Sequence, residues 1–113
     1  MKRGMSVYVR DMLDSIGQIE EYTKGMDRNG FEASLQVQDA VARRLEIIGE
    51  ASKNLPKTAT AKYPQIPWKE IAGMRDVLIH GYFGINAERV WKTVGADLPE
   101  LKKALQEIEK TME

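Results

Sequence analysis

The apolar residues of this chain recur every three or four positions through most of its length, which is the spacing of one face of an α-helix. Near the start of the chain this apolar stripe comprises Val9, Leu13, Ile16, Ile19 and Tyr22. No stretch sustains the alternation of apolar and polar residues that is typical of a half-buried strand. The pattern therefore predicts an all-α fold, a bundle of four to five helices.

Capping residues and helix breakers predict where the first two helices begin and end. The first is expected over about Ser6–Lys24, with Gly25 ending it, and residues 26–33 are interpreted as a connection. The second is expected over about Glu32–Asn54, and Pro56 limits its extension.

The second half of the chain begins with a connector over residues 57–67 that has room for one short helical turn. Pro67 suits the first turn of a third long helix, expected over about Trp68–Gly81. Asn86 can cap the next helix. The segment Asp97–Glu100 resembles a capping box with Pro99 inside it, which predicts a break or kink near Gly95–Asp97.

Length and composition exclude several classes of function. We expect residues 1–113 to form a single domain. The chain has no cysteine and one histidine, which argues against disulfides, thiolate metal sites and zinc, so no metal or cofactor is expected. No apolar run approaches the roughly 20 residues of a membrane span. These features predict a soluble, cytoplasmic protein.

The 17 basic residues balance 17 acidic ones, so no overall positive field attracts nucleic acid. If the protein handles RNA, it must do so at a local site or together with a partner.

The segment RDVLIHGY, residues 75–82, holds the single histidine and is unusually rich in chemical groups. On a helical wheel His80 lies one turn beyond Asp76, so the carboxylate can orient the imidazole. Arg75 falls about 140° from His80, so a kink, long side chains or a two-fold pairing of subunits would have to bring them together. Gly73 shares the His80 stripe, where it either permits close approach by a backbone or ligand or is merely tolerated. In the alternative interpretation these residues, with Tyr82, form an ordinary amphipathic surface.

Two further groups of charged residues are weaker candidates. Glu46 and Glu50 lie one helical turn apart and could act as a carboxylate pair, although a solvated or interface stripe is the commoner role. Arg43 and Arg44 could contact phosphate, but the run is too short to identify an RNA-binding surface.

Three segments, which together extend over much of the chain, resemble one family. They are QDAVARRLEIIGEASKNL, PQIPWKEIAGMRDVLIHGYFGIN and VWKTVGADLPELK. They are similar to the HepT-like family of the HEPN superfamily, whose central motif is Arg-x4-His-x-Tyr. In this chain the motif residues are Arg75, His80 and Tyr82.

The resemblance implies an all-helical toxin of a type II toxin–antitoxin system, acting as a metal-independent endoribonuclease and forming a homodimer or a higher oligomer. It implies that Arg75 and His80 are catalytic, with Arg75 on the scissile phosphate and His80 as acid or base. Asp76 would be a supporting polar residue. The implied partners are the RNA substrate and a nucleotidyltransferase antitoxin of the MntA type, which would transfer AMP to Tyr82.

Two other interpretations remain open at this level. The chain could be a non-catalytic helical module that docks a nucleotidyltransferase or holds a nucleotide, or it could be a helical dimer without chemistry. Loss of RNA cleavage in a folded His80→Ala variant would separate the ribonuclease from both.

Overall fold

The computed structural model describes residues 4–74 and 86–112. Their α-helices are α1 (Met5–Thr23), α2 (Arg28–Ala33), α3 (Leu35–Ser52), α4 (Lys57–Thr60), α5 (Trp68–Ala72), α6 (Ala87–Lys92) and α7 (Leu98–Thr111), with a π-helical segment, Thr93–Asp97, between α6 and α7. These ranges contain no strand, so the all-α prediction is confirmed for them. There are more helical segments than the four to five expected, because several consist of only one or two turns.

Three long helices enclose the core. α1 packs along both α3 and α7, α5 packs on α3, and α2 packs on α3 and α6. The large buried apolar side chains of these three helices are Val9, Met12, Ile16 and Ile19 on α1, Val41, Leu45 and Ile48 on α3, and Leu98, Leu101, Leu105 and Ile108 on α7. Each such side chain contributes roughly 1.5–3 kcal/mol when it is fully buried. In the described ranges, no helix is both long enough and apolar enough to cross a membrane.

The ends of α1 agree with prediction to within a residue. The helix begins at Met5, with Gly4 rather than Ser6 in the capping position and no side-chain cap. Gly25 has φ of 75°, in the left-handed region that favours glycine after a helix. The predicted glycine stop is therefore confirmed.

The predicted connection over residues 26–33 is wrong, because most of it is the helix α2. Asp27 caps this helix by accepting a hydrogen bond from the backbone N–H of Gly30 at 2.7 Å. Phe31 has no exposed surface. One side-chain cap and one buried aromatic ring thus stabilise a helix that is too short for periodicity to reveal.

The start of α3 lies three residues later than predicted, at Leu35. Ser34 ends α2 and caps α3, and its Oγ accepts a hydrogen bond from the backbone N–H of Val37 at 3.2 Å. The buried Gln38 joins the two helices, since its Nε2 donates to the carbonyl oxygens of Phe31 at 2.9 Å and Glu32 at 3.0 Å.

The predicted capping box at Asp97 does not form. Asp97 has helical dihedral angles, φ −81° and ψ −40°, and makes no side-chain cap. The chain instead continues from α6 into α7 through the π-helical segment. Pro99 explains this geometry, because proline lacks an N–H and its ring clashes with the carbonyl four residues earlier, that of Gly95.

The predicted helix over Trp68–Gly81 begins where expected, at Trp68, and the helix α5 ends at Ala72. Gly73 adopts a turn conformation with φ −85° and ψ 0°. Gly73 therefore interrupts the regular α-helix. The predicted remainder of this helix, residues 75–81, and with it the stripe that includes His80, lies outside the described residues. The nearest atoms to a Cβ on Gly73 would be carbonyls of its own last turn, those of Lys69 and Glu70.

Candidate functional site

Arg75, Asp76, His80 and Tyr82 all fall within residues 75–85, outside the described residues. The structure places the residues on either side of this segment, Met74 before it and Asn86 after it. The site can therefore be built from these two flanks.

The upstream flank is α5 with the turn that follows it. Ile71 and Met74 are only 4% and 5% exposed, so both ends of this turn are anchored in the core. On α3, Gly49 allows α5 to approach closely, since a Cβ at this position would lie 2.8 Å from the carbonyl oxygen of Ile71. The indole of Trp68 donates to the carbonyl of Tyr63 at 3.1 Å and fixes the start of α5.

The downstream flank is the start of α6. Asn86 caps it, as predicted, and its Oδ1 accepts a hydrogen bond from the backbone N–H of Arg89 at 3.1 Å. Val90 is 1% exposed. The ring of Trp91 packs at 5.2 Å, centroid to centroid, on that of Phe31 in α2. The first turns of α6 are thereby held against the core.

A cavity of about 480 Å³ lies between these flanks. We call it the α5–α6 cavity. Its described lining comprises Glu70, Ile71 and Met74 from the upstream flank, and Asn86, Glu88, Arg89, Lys92, Thr93 and Asp97 from the downstream flank. The residues that immediately precede and follow the predicted catalytic segment therefore line one cavity.

Some charged residues that line this cavity form ion pairs with described residues, and others do not. Glu88 forms an ion pair with Arg28 of α2 at 3.3 Å, and Arg28 also pairs with Glu32 at 3.2 Å. The hydrogen bond to Glu32 and the charge of Glu88 raise the pKa of Arg28 above its usual range. Arg89 and Lys92 have no ion-pair partner among the described residues. Two exposed cations that line this cavity thus lack a carboxylate partner within residues 4–74 and 86–112.

The π-helical segment forms part of the cavity wall. Thr93, its first residue, is 5% exposed, and its hydroxyl donates to the carbonyl of Arg89 at 3.1 Å. π-Helical turns often occur at functional sites. This cavity was not predicted from the sequence, where its signal is a pair of cations three and six positions after the capping Asn86.

A second cavity, of about 470 Å³, lies between α1 and α3 and includes Glu46 and Glu50 in its lining. Glu46 pairs with Arg43 at 3.2 Å, and Glu50 pairs with Lys53 at 3.4 Å. Each carboxylate thus has a neighbouring cation, Arg43 on α3 and Lys53 directly after it. Among the described residues no acidic or histidine cluster could hold a metal ion. This arrangement favours the interpretation as a charged surface stripe over that as a catalytic carboxylate pair.

One family model matches most of the chain. The model of the HepT-like family, described as "Ribonuclease HepT-like", matches residues 12–108. The chain therefore belongs to the HepT-like ribonuclease family.

Its curated relatives come from archaea and bacteria. A Thermococcus cleftensis protein, named a probable ribonuclease HepT, is 46% identical over 97% of this chain and 100% of its own length. A Caldanaerobacter subterraneus protein, provisionally named an RNase, is 46% identical over 89% of this chain and 90% of its own length.

A third relative is longer. A Methanocaldococcus jannaschii protein is 50% identical over 96% of this chain, and its name gives it a gamma-glutamylcyclotransferase activity and, provisionally, an RNase activity. The match spans 49% of that protein, so this chain corresponds to about half its length. No solved structure matches the chain.

Proposed function

We propose that this protein is a metal-independent endoribonuclease in which Arg75 and His80 are catalytic. Membership of the HepT-like ribonuclease family carries the proposal. The Arg-x4-His-x-Tyr motif in residues 75–82 supports it, as do relatives named as ribonucleases over almost the whole chain.

The proposed reaction is transesterification at an RNA phosphate. The ribose 2′-oxygen attacks phosphorus and loses its proton to a base, and the bond from phosphorus to the 5′-oxygen breaks as an acid protonates that oxygen. The products are a 2′,3′-cyclic phosphate and a free 5′-hydroxyl. His80 serves as base or acid, and Arg75 stabilises the charge that builds on the phosphoryl oxygens.

The single histidine per chain favours a dimer as the active form. A base and an acid are both required, and a two-fold axis near residues 75–82 would bring two copies of His80 together. Asp76 is the supporting polar residue in this proposal. Asp76 precedes His80 by four positions in the sequence, and in a helix this spacing would let its carboxylate orient the imidazole.

We further propose that the chain is the toxin of a type II toxin–antitoxin system in the cytoplasm. Its antitoxin would be a nucleotidyltransferase of the MntA type that attaches AMP to Tyr82. The added phosphate would pair with nearby cations and exclude RNA by charge and bulk.

The test is cleavage of single-stranded RNA in EDTA by the wild type, Arg75→Ala, His80→Ala and the control Lys110→Ala. Intact mass must first show that Tyr82 carries no AMP, and circular dichroism must show that each variant is folded. We expect the wild type and the control to cleave, with loss of at least 100-fold in the other two variants. No cleavage by folded, unmodified wild type would refute the proposal and favour the non-catalytic docking module.

A further inference from the structure

We propose that the α5–α6 cavity is a nucleotide subsite, in which Arg89 and Lys92 hold a phosphate. In the ribonuclease proposed above, from which this inference takes its substrate, the ligand is one nucleotide of single-stranded RNA beside the cleaved bond. A free mononucleotide offers the same chemistry as a nucleotide of RNA, a base joined to a phosphate. The experiments must therefore distinguish these two ligands.

The assignment of a phosphate site depends on the position and exposure of Arg89 and Lys92. Arg89 and Lys92 are one helical turn apart on α6, and both are exposed. Elsewhere in the described structure, cations such as Arg10 and Lys102 contact carboxylates, at 2.6 Å to Glu109 and 3.0 Å to Glu20. A guanidinium and an ammonium that line one cavity can together bind a phosphate, and this binding breaks no ion pair with any residue of the described ranges.

The assignment of a site for the base depends on the other residues that line the cavity. Ile71 and Met74 show only a small part of their surface and form an apolar floor. Glu70 and Asp97 contribute carboxylates that can accept hydrogen bonds from the exocyclic amino groups of a base.

The same carboxylates limit what the cavity can hold. They would repel a second phosphate, so the lining suits one nucleotide rather than a run of closely spaced phosphates. The volume of about 480 Å³ also lies within the range of small-ligand sites.

The position of the cavity along the chain connects it to the proposed cleavage site. Met74, in its wall, directly precedes Arg75 in the sequence, and the opposite wall begins at Asn86, four residues after Tyr82. A nucleotide in the cavity therefore lies against the two ends of the segment that carries the motif. Arg89 and Lys92 act here as positioning residues for RNA, distinct from the catalytic pair.

The first experiment measures binding without cleavage. A fluorescein-labelled single-stranded 2′-O-methyl RNA, which cannot form the cyclic phosphate, is titrated by anisotropy against wild type and two double variants. Arg89→Gln/Lys92→Gln removes the cavity cations. The control, Lys57→Gln/Lys110→Gln, removes the same charge at positions that do not line the cavity, and Lys110 lies 13 residues beyond Asp97, about 20 Å along the helix.

We expect affinity to fall about tenfold in the cavity variant and less than twofold in the control. The slope of log affinity against log salt should also become shallower by about 0.7, which is the change for one lost phosphate contact. Equal losses in the two double variants would overturn the subsite. All four substitutions are at exposed positions, and thermal melting checks that the fold is retained.

A second experiment separates this inference from the ribonuclease itself. Adenosine, AMP and inorganic phosphate are titrated into labelled wild type and followed by amide shifts, while RNA cleavage is assayed in EDTA. Cleavage with equal KM in the cavity and control variants would overturn the subsite and leave the ribonuclease standing. Shifts by AMP at residues 86–93, absent in the cavity variant, would support the subsite even if no RNA were cleaved, and would then identify a free nucleotide as its ligand.

Discussion

The close approach of α5 to α3 makes Gly49→Ala an informative substitution. In an exposed helix, replacing glycine by alanine stabilises by about 1 kcal/mol. At Gly49, however, the new Cβ would lie 2.8 Å from the carbonyl oxygen of Ile71, where ordinary contact begins at 3.4 Å. Because the opposing atom belongs to the backbone, α5 as a whole would have to withdraw by about 0.6 Å.

The expected magnitude is the balance of these two effects. Overpacking of a core costs about 1–3 kcal/mol, of which the gain in helix propensity recovers about 1 kcal/mol. We expect Gly49→Ala to lower the free energy of unfolding by about 1 kcal/mol. It should also lower RNA cleavage further than the unfolded fraction explains, since α5 leads directly into Arg75.

The assay is urea unfolding of wild type, Gly49→Ala and the matched control Gly17→Ala. A Cβ on Gly17 of α1 meets no atom within 4 Å, so the control should be more stable than wild type by up to 1 kcal/mol. If both variants proved more stable than wild type, the steric reasoning at Gly49 would be refuted.

Three other predictions follow from the described contacts. Gln38→Leu should cost about 1–3 kcal/mol in urea unfolding, because two carbonyl oxygens at the end of α2 lose their amide donor; a cost below 0.5 kcal/mol would contradict this. Asn86→Ala should cost about 1 kcal/mol, whereas Asn86→Asp should retain most of that stability as an alternative cap, and equal losses in the two would argue against capping. Burial, then the hydrogen bond and charge of Glu107, raise the pKa of Tyr63 above its ordinary value of 10.0. Since the folded pKa exceeds the unfolded one, wild type should lose stability relative to Tyr63→Phe as the pH rises through about 10 and above, which unfolding at about pH 8 and pH 10.5 would detect.

The long helices were predictable because their signal is local and repeated. In α1, the stripe that includes Val9, Ile16 and Ile19 specifies a buried face without any knowledge of what covers it. The short helix α2 lacked such a repeat. Its stability depends on Asp27 as a cap and on burial of Phe31, which the tertiary structure decides.

The roles of two glycines likewise depend on tertiary structure and could not be predicted from local sequence. Gly73 and Gly49 both interrupt helical patterns in the sequence, and either could have marked a close approach. Only the fold reveals that α5 passes over Gly49 while Gly73 ends a helical segment.

The candidate site likewise includes residues that were predicted before the structure and residues that were not. The catalytic roles of Arg75 and His80 were implied by the resemblance to the HepT-like family rather than by their spacing alone, and they remain a prediction. The cavity cations Arg89 and Lys92 were not predicted, because whether a charge is paired depends on residues distant in the sequence.

The packing of α1 against α7 has a consequence for synthesis of the protein on the ribosome. Residues 24–97 separate the two helices. At a synthesis rate of about 5–20 residues per second, roughly 4–15 s pass between completion of α1 and the start of α7. During that time α3 can cover one side of α1, while the apolar positions that face α7 stay open to chaperones and to other nascent chains.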